Sequence, residues 1–144
     1  MANNSHNNQF QIELPKGWED KSVHYFQGPV DRGVQHGLSL VIDPKPNVAK
    51  LDLYARERID NAVGSLPEAE VVKEESSTTP DGVDMLQATL RYQPVPGTPQ
   101  FQRMYFVKRG KAIYQFSATF SKQTIKTIAV DVDRIIASFQ PIEE

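Results

Sequence analysis

The chain has 144 residues, enough for one domain, with 39% hydrophobic and 24% charged residues, the balance of an ordinary globular protein. Its formal net charge of −2 disfavours nucleic acid as a partner, and the absence of cysteine excludes a disulfide scaffold, a thiol nucleophile and a thiolate metal site. The opening MANNSHNNQF has neither a basic stretch nor an apolar core of a secretory signal, and no apolar run approaches the ~20 residues of a membrane span. The expectation is a cytoplasmic protein with no direct membrane insertion.

Residues 1–9 are polar and Asn-rich and read as a tail, leaving residues 10–144 as a single α+β domain. Phe10–Leu14 alternates as a strand and Pro15-Lys16-Gly17 turns it. Ser22–Gln27 reads as a second strand, broken by Gly28-Pro29, and Gly37–Asp43 as a third, ended by Pro44 and Pro46. A helix capped at Asn47 follows, with Leu51, Ala55, Ile59, Ala62 and Val63 at helical spacing and Gly64 and Pro67 to stop it. Ala69–Thr79 is a polar strand suited to an edge. After the turn at Pro80-Asp81-Gly82, Val83–Tyr92 shows Leu86, Ala88, Leu90 and Tyr92 on one face, Met85, Gln87 and Thr89 on the other.

Pro94, Pro96, Gly97 and Pro99 lead into a hairpin, QFQRMYFVK and KAIYQFSATF, with Arg109-Gly110 as its turn. In the last element Ile125, Ile128, Val132, Ile135, Ile136 and Phe139 trace a helical stripe closed by Pro141. The short, turn-rich connections predict an antiparallel sheet of six or seven strands with two flanking amphipathic helices.

Catalytic chemistry is thin. His6, His24 and His36 are too dispersed to form a ligand set, no serine sits in a nucleophile elbow, and no Gly-rich phosphate loop occurs. Asp131 and Asp133 are assigned to the outer, solvated side of the last helix. No enzyme activity, metal or cofactor is expected.

The hairpin carries apolar residues on both faces. A two-residue Arg109-Gly110 loop pairs Val107 with Ala112, Phe106 with Ile113 and Met104 with Gln115. Phe101, Tyr105, Val107, Tyr114, Phe116 and Ala118 then share a face, assigned here to the helices, and Gln102, Met104, Phe106, Ile113, Gln115 and Ser117 share the other. A three-residue loop with Gly110 as a bulge competes, because Arg is a poor residue for positive φ. It pairs Val107 with Lys111, turns Gln102, Met104 and Phe106 inward and faces Arg103 outward. In the first register Met85 and Gln87, and Ser39 and Val41, extend the second face, while Leu38, Leu40 and Ile42 go to the core. The candidate partner-binding face is Ser39, Val41, Met85, Gln87, Gln102, Met104, Phe106, Ile113, Gln115 and Ser117. Adaptable Met with donor–acceptor Gln suits an apolar partner that still carries some polar groups. The bland alternative is that Met and Phe there simply pack under a loop, a helix or a dimer partner.

FQIELPKGWED, the GLSLVID strand, MLQATLRY, FQRMYFVKRGKAIYQFSATF and the closing IIASFQP together resemble the Eag chaperones of type VI secretion systems, from Phe10 to Pro141. The resemblance implies a PsbP-like fold and a homodimer. It also implies a concave sheet surface that binds and shields the N-terminal transmembrane segments of a PAAR-domain effector before loading on the VgrG spike. It carries no short signature of its own and names no residues. The alternative function is a small-ligand or lipid-binding domain that uses the same sheet face.

Overall fold

The computed structural model describes residues 12–31 and 33–140. Among them, six strands form one antiparallel sheet: β1 (Val23–Asp31), β2 (Val34–Asp43), β3 (Glu70–Thr78), β4 (Asp84–Val95), β5 (Thr98–Arg109) and β6 (Ala112–Ser121). Their spatial order is β1-β2-β6-β5-β4-β3. The last four strands thus make a meander, and the β1–β2 hairpin joins it where β2 pairs with β6. Helix α1 (Leu51–Ser65) connects β2 to β3, and a 3₁₀ turn at Thr124–Lys126 leads from β6 into α2 (Ile128–Ser138). Of the strand expected at Phe10–Leu14, Phe10 and Gln11 lie outside the described residues, and Ile12–Leu14 contribute only a single bridge at Glu13. The charged, Ser-rich β3 is an edge strand, as its composition predicts.

The β5–β6 hairpin turns one residue later than expected. Arg109 opposes Ala112, so the loop residues are Gly110 and Lys111, and positive φ falls on Gly110 at +60°. A two-residue turn with Gly first needs positive φ there alone, which spares both Arg109 and Lys111 the left-handed region. Neither sequence-derived register survives: Val107 opposes Tyr114, Phe106 opposes Gln115 and Met104 opposes Ser117. The shift from the Arg109-Gly110 register is two residues, so it preserves which side chains share a face.

β4 behaves differently. Its turn to β5, at Pro96-Gly97, sets Val95 opposite Thr98, but Tyr92 then opposes Gln100. Gln93 and Pro94 face the single residue Pro99, a bulge at a point where neither proline can donate to the ladder. One extra residue reverses the face of everything before it. Met85 therefore opposes Val107 and Gln87 opposes Tyr105, on the opposite face from Met104 and Phe106. Leu86, Ala88 and Leu90 take the face of Phe106, Met104 and Gln102 instead.

The helices divide the faces between them, which corrects the expectation that both cover the aromatic one. α2 buries Ile128, Ala129, Val132 and Ile136 against Leu38, Leu40, Tyr105, Val107, Phe116, Ala118 and Phe120. Ile135 of the expected stripe is exposed. α1 buries Tyr54, Ala55 and Ile59 against Ala88, Leu90, Met104, Phe106 and Ile113 on the other face. This is where three neighbouring strands are apolar together, and fully burying a side chain such as Phe106 or Ile113 is worth about 1.5–3 kcal/mol each. α1 starts later than the Asn47 cap predicts, with Lys50 at the N-cap position, and Gly64 lies within its last turn.

Candidate functional site

Each helix covers half of its face. α1 packs on β4 and β5, and its inner border is marked by Asp43, which accepts a hydrogen bond from Tyr54 Oη at 3.0 Å and lies 3.8 Å from Arg58. Beyond that border, the half-face formed by β1, β2, β6 and the start of β5 carries no helix among the described residues. β1 presents Val23, Tyr25 and Gln27 there, and β2 presents Gly37, Ser39 and Val41. β6 adds Gln115, Ser117 and Thr119, and β5 adds Gln102. All are exposed or half-buried, and none is charged. The uncovered half of the other face, beside α2, holds Lys73, Glu75, Gln87 and Arg91 from β3 and β4, a solvated surface of both signs.

The ten residues singled out from the sequence separate accordingly. Ser39, Val41, Gln102, Gln115 and Ser117 are brought together on the uncharged half-face, where the Ser39 hydroxyl donates to the Ser117 carbonyl at 3.4 Å. Met104, Phe106 and Ile113 share that face but are buried beneath α1, with Phe106 edge-on to the Tyr54 ring at 6.3 Å. They are core in this structure, not surface. Met85 and Gln87 are turned by the bulge to the α2 face, where they line a cleft of about 470 Å³ with Thr79, Tyr105, Asp133 and Ile136. A second cleft, about 700 Å³, lies at the start of α1 among Lys50, Asp52, Ser77, Asp84 and Lys108.

Tyr25 and Gly37 are among the half-face residues that were not singled out. Tyr25 is 60% exposed, yet its ring lies over Gly37, the diagonal neighbour across the β1–β2 pair. A Cβ on Gly37 would overlap the ring's outer atoms, so the tip of the ring occupies space that only a bare backbone leaves free. The signal was available: a glycine inside an apolar strand often marks a close approach.

Beside α2 the chain solves the problem of an inward Arg103. Its guanidinium is 3.2 Å from Thr89 Oγ1 through Nε, 3.6 Å from Asp133 Oδ1, and stacked 5.8 Å from the Phe120 ring centroid. Tyr105 Oη donates to the same Asp133 oxygen at 2.7 Å. Burial, reinforced by that carboxylate, pushes the Tyr105 hydroxyl well above its ordinary pKa. Asp133 is thus a buttress of the helix–sheet contact as well as a solvated charge. At the β3–β4 turn, the hydrogen bond from Thr79 and then that from Arg109 hold the Asp81 carboxyl below the usual carboxylate range.

No group of three His, Cys, Asp or Glu side chains among the described residues stands close enough to hold a metal, and no described helix is long and apolar enough to cross a membrane. The geometry offers a flat uncharged floor rather than an arranged set of reacting groups.

No curated protein matches the chain. A solved structure of a Pseudomonas aeruginosa protein of unknown function is similar at a TM-score of 0.79, with 17% identity, covering 98% of this chain and 97% of that one. LpqN of Mycobacterium tuberculosis, described as involved in cell envelope biogenesis, is similar at 0.55 with 9% identity over 81% and 82%. The cyanobacterial PsbP of Synechocystis is similar at 0.54 with 14% identity over 91% and 99%. These likenesses bear on the fold alone, and the last makes it PsbP-like. The DcrB family model matches residues 10–138, and the chain belongs to the DcrB family.

Proposed function

We propose that this protein is a cytoplasmic adaptor chaperone of type VI secretion. It binds and shields the N-terminal transmembrane segments of a PAAR-domain effector before the effector reaches the VgrG spike. The observation that carries this reading is the uncovered, uncharged half-face. Charged residues make up 24% of the chain, and one exposed strand face after another without any is what an apolar partner needs.

The dimensions agree. Three strands about 4.8 Å apart make a floor about 14 Å across, and a ten-residue strand such as β2 runs about 33 Å. A helix is about 10–12 Å wide, and 20 residues of it are about 30 Å long. One membrane-spanning helix therefore fits beside α1, completing the layer that α1 leaves half-built. Val41 and Val23 supply apolar contact, while the amides of Gln102 and Gln115 and the hydroxyls of Ser39 and Ser117 meet polar groups of the helix. Such bonds average about 0.6 kcal/mol in apolar surroundings, so shape and apolar area dominate affinity. The reading assigns the protein no catalysis and no cofactor. It includes a homodimer, for which β1, a sheet edge among the described residues, offers exposed Phe26 on the face away from the floor, unlike the charged edge at β3.

Co-expression with an effector fragment containing or lacking its transmembrane segments tests the proposal. The wild type is expected to co-purify only the former, and Val41→Glu or Gln115→Arg to lose it while staying folded. Equal capture by the charged variants places the partner elsewhere. A lipid recovered by organic extraction and mass spectrometry of the purified protein, with no capture of either fragment, replaces the chaperone with a lipid-binding domain.

A further inference from the structure

We propose that Tyr25 and Gly37 form a single aromatic anchor at the centre of the floor, and that an uncharged apolar helix docks on the Tyr25 ring. The inference rests on the reading of this half-face as a helix-binding surface and names the residues that set its affinity.

Three observations carry it. Gly37 sits inside β2, in a strand where Gly is less favourable than Ala, and its φ is not in the left-handed region that would demand glycine. What does demand it is the Tyr25 ring, whose Oη, Cζ and Cε1 occupy the space of a Cβ. The tip of the ring lies against Gly37, yet the residue is 60% exposed. A tyrosine whose ring tip is seated against the backbone has less rotamer freedom to lose on binding than a free one. Large, rigid and amphipathic side chains of this kind dominate binding energy at interfaces. The neighbours on the floor, Ser39, Val41 and Gln27, are smaller or more flexible, so the ring is its largest fixed apolar surface.

The occupant follows from charge. No Lys, Arg, Asp or Glu of β1, β2 or β6 shares the ring's half-face inside the Asp43 border, so nothing there offsets a desolvated charge on the partner. A charged helix would lose hydration without compensation, whereas an uncharged apolar helix has no charge to desolvate.

The test is a double-mutant cycle on the full chain. The probe is a fluorescein-labelled peptide of 20 Leu and Ala residues flanked by lysines, followed by anisotropy. Tyr25→Ala is expected to weaken binding by about tenfold or more. Gly37→Ala, which keeps the tyrosine but lifts its ring, is expected to weaken it to a similar degree. In the Tyr25→Ala background, Gly37→Ala should change affinity by less than about twofold, because nothing is left for the new methyl to displace. Tyr25→Phe, which keeps the ring and removes only the hydroxyl, should stay within about threefold of wild type. Circular dichroism melts confirm that every variant is folded, as expected for an exposed side chain and for an alanine in strand geometry.

If Gly37→Ala weakens binding equally with and without Tyr25, the effect is the backbone's and the anchor is refuted. If the wild type binds the probe and Tyr25→Ala binds it as well, the anchor fails while the helix-binding floor stands. If the wild type does not bind the probe, both fall together.

Discussion

Replacing Phe106 by Ala tests the division of the sheet between covered and uncovered halves. Phe106 is fully buried between the sheet and α1, in a cluster with Tyr54, Ile59, Leu90, Met104 and Ile113. Its ring meets Tyr54 edge-on at 74°. Phe→Ala in such a site costs about 3–5 kcal/mol, from lost transfer energy and the cavity left behind. The upper part of that range applies because paired strands on both sides of β5 resist collapse. A loss of about 4 kcal/mol is a large share of the 5–15 kcal/mol typical of a domain. In urea, with m near 2 kcal/mol per M, the midpoint falls by about 2 M. Far-UV circular dichroism reports it. Val41→Ala, on the same face but 38% exposed, is the control and should cost no more than about 1 kcal/mol. A Phe106→Ala loss below about 1 kcal/mol, or equal losses at the two positions, would mean that α1 does not cover this half of the sheet. For the same reason Met104→Glu and Ile113→Glu cannot serve as probes of partner binding. A carboxylate forced under α1 would unfold the protein before it said anything about a partner.

Asp133→Ala removes the acceptor of Tyr105 Oη and the partner of Arg103, whose side chain is only 14% exposed, and should cost about 1–3 kcal/mol in urea unfolding, with Asp133→Asn milder because it keeps an acceptor. Because the folded-state pKa of Tyr105 lies above its ordinary value near 10, the stability it contributes is complete below pH 10 and is lost as pH rises from there toward the raised value. Unfolding free energy should therefore fall on alkaline titration, and less steeply in Tyr105→Phe; equal slopes would refute the buried hydroxyl. The Asp81 carboxyl is held low, so an NMR titration should find its midpoint below that of an unpaired aspartate, and Arg109→Ala should raise it. Phe26→Lys, on the β1 edge but off the floor, should shift a dimer toward monomer in sedimentation velocity while leaving peptide binding intact; unchanged dimer content would place the second copy on another surface.

Side-chain alternation made the face partners of β5 and β6 legible, because a two-residue error in register leaves the period of two untouched. It made Ser39 and Val41 legible for the same reason. Met85 and Gln87 were lost to one bulge. Without the extra residue at Gln93-Pro94, Met85 would oppose Lys108 and fall on the face of Met104, as alternation alone predicts. The cue was the pair of prolines flanking the turn, which cannot keep an unbroken ladder. The choice of face by α1 was not legible locally. It depends on Leu86, Ala88 and Leu90 lying beside Met104, Phe106 and Ile113, and the bulge decides that juxtaposition. Arg103 argued for the wrong register because its compensation by Asp133 comes from an element 30 residues later.

The same bulge explains why an uncharged floor exists at all. By turning Leu86, Ala88 and Leu90 toward Met104 and Phe106, it concentrates apolar side chains on one half of that face, and α1 follows them there. α2 takes the diagonal half of the other face, over Leu38, Leu40 and Phe116. Among the described residues, two half-faces are left without a helix. Geometry treats them alike, yet the chain dresses them differently, with Lys73, Glu75 and Arg91 on one and Val23, Tyr25, Ser39 and Val41 on the other. Folding does not require that contrast, since charged residues on the β1–β2 half-face would be as well solvated as those on β3. Uncharged side chains there carry a cost in solubility that the charged half avoids. That cost is offset only when something covers them. In the proposed chaperone that covering element is an apolar helix of the partner, uncharged along its length.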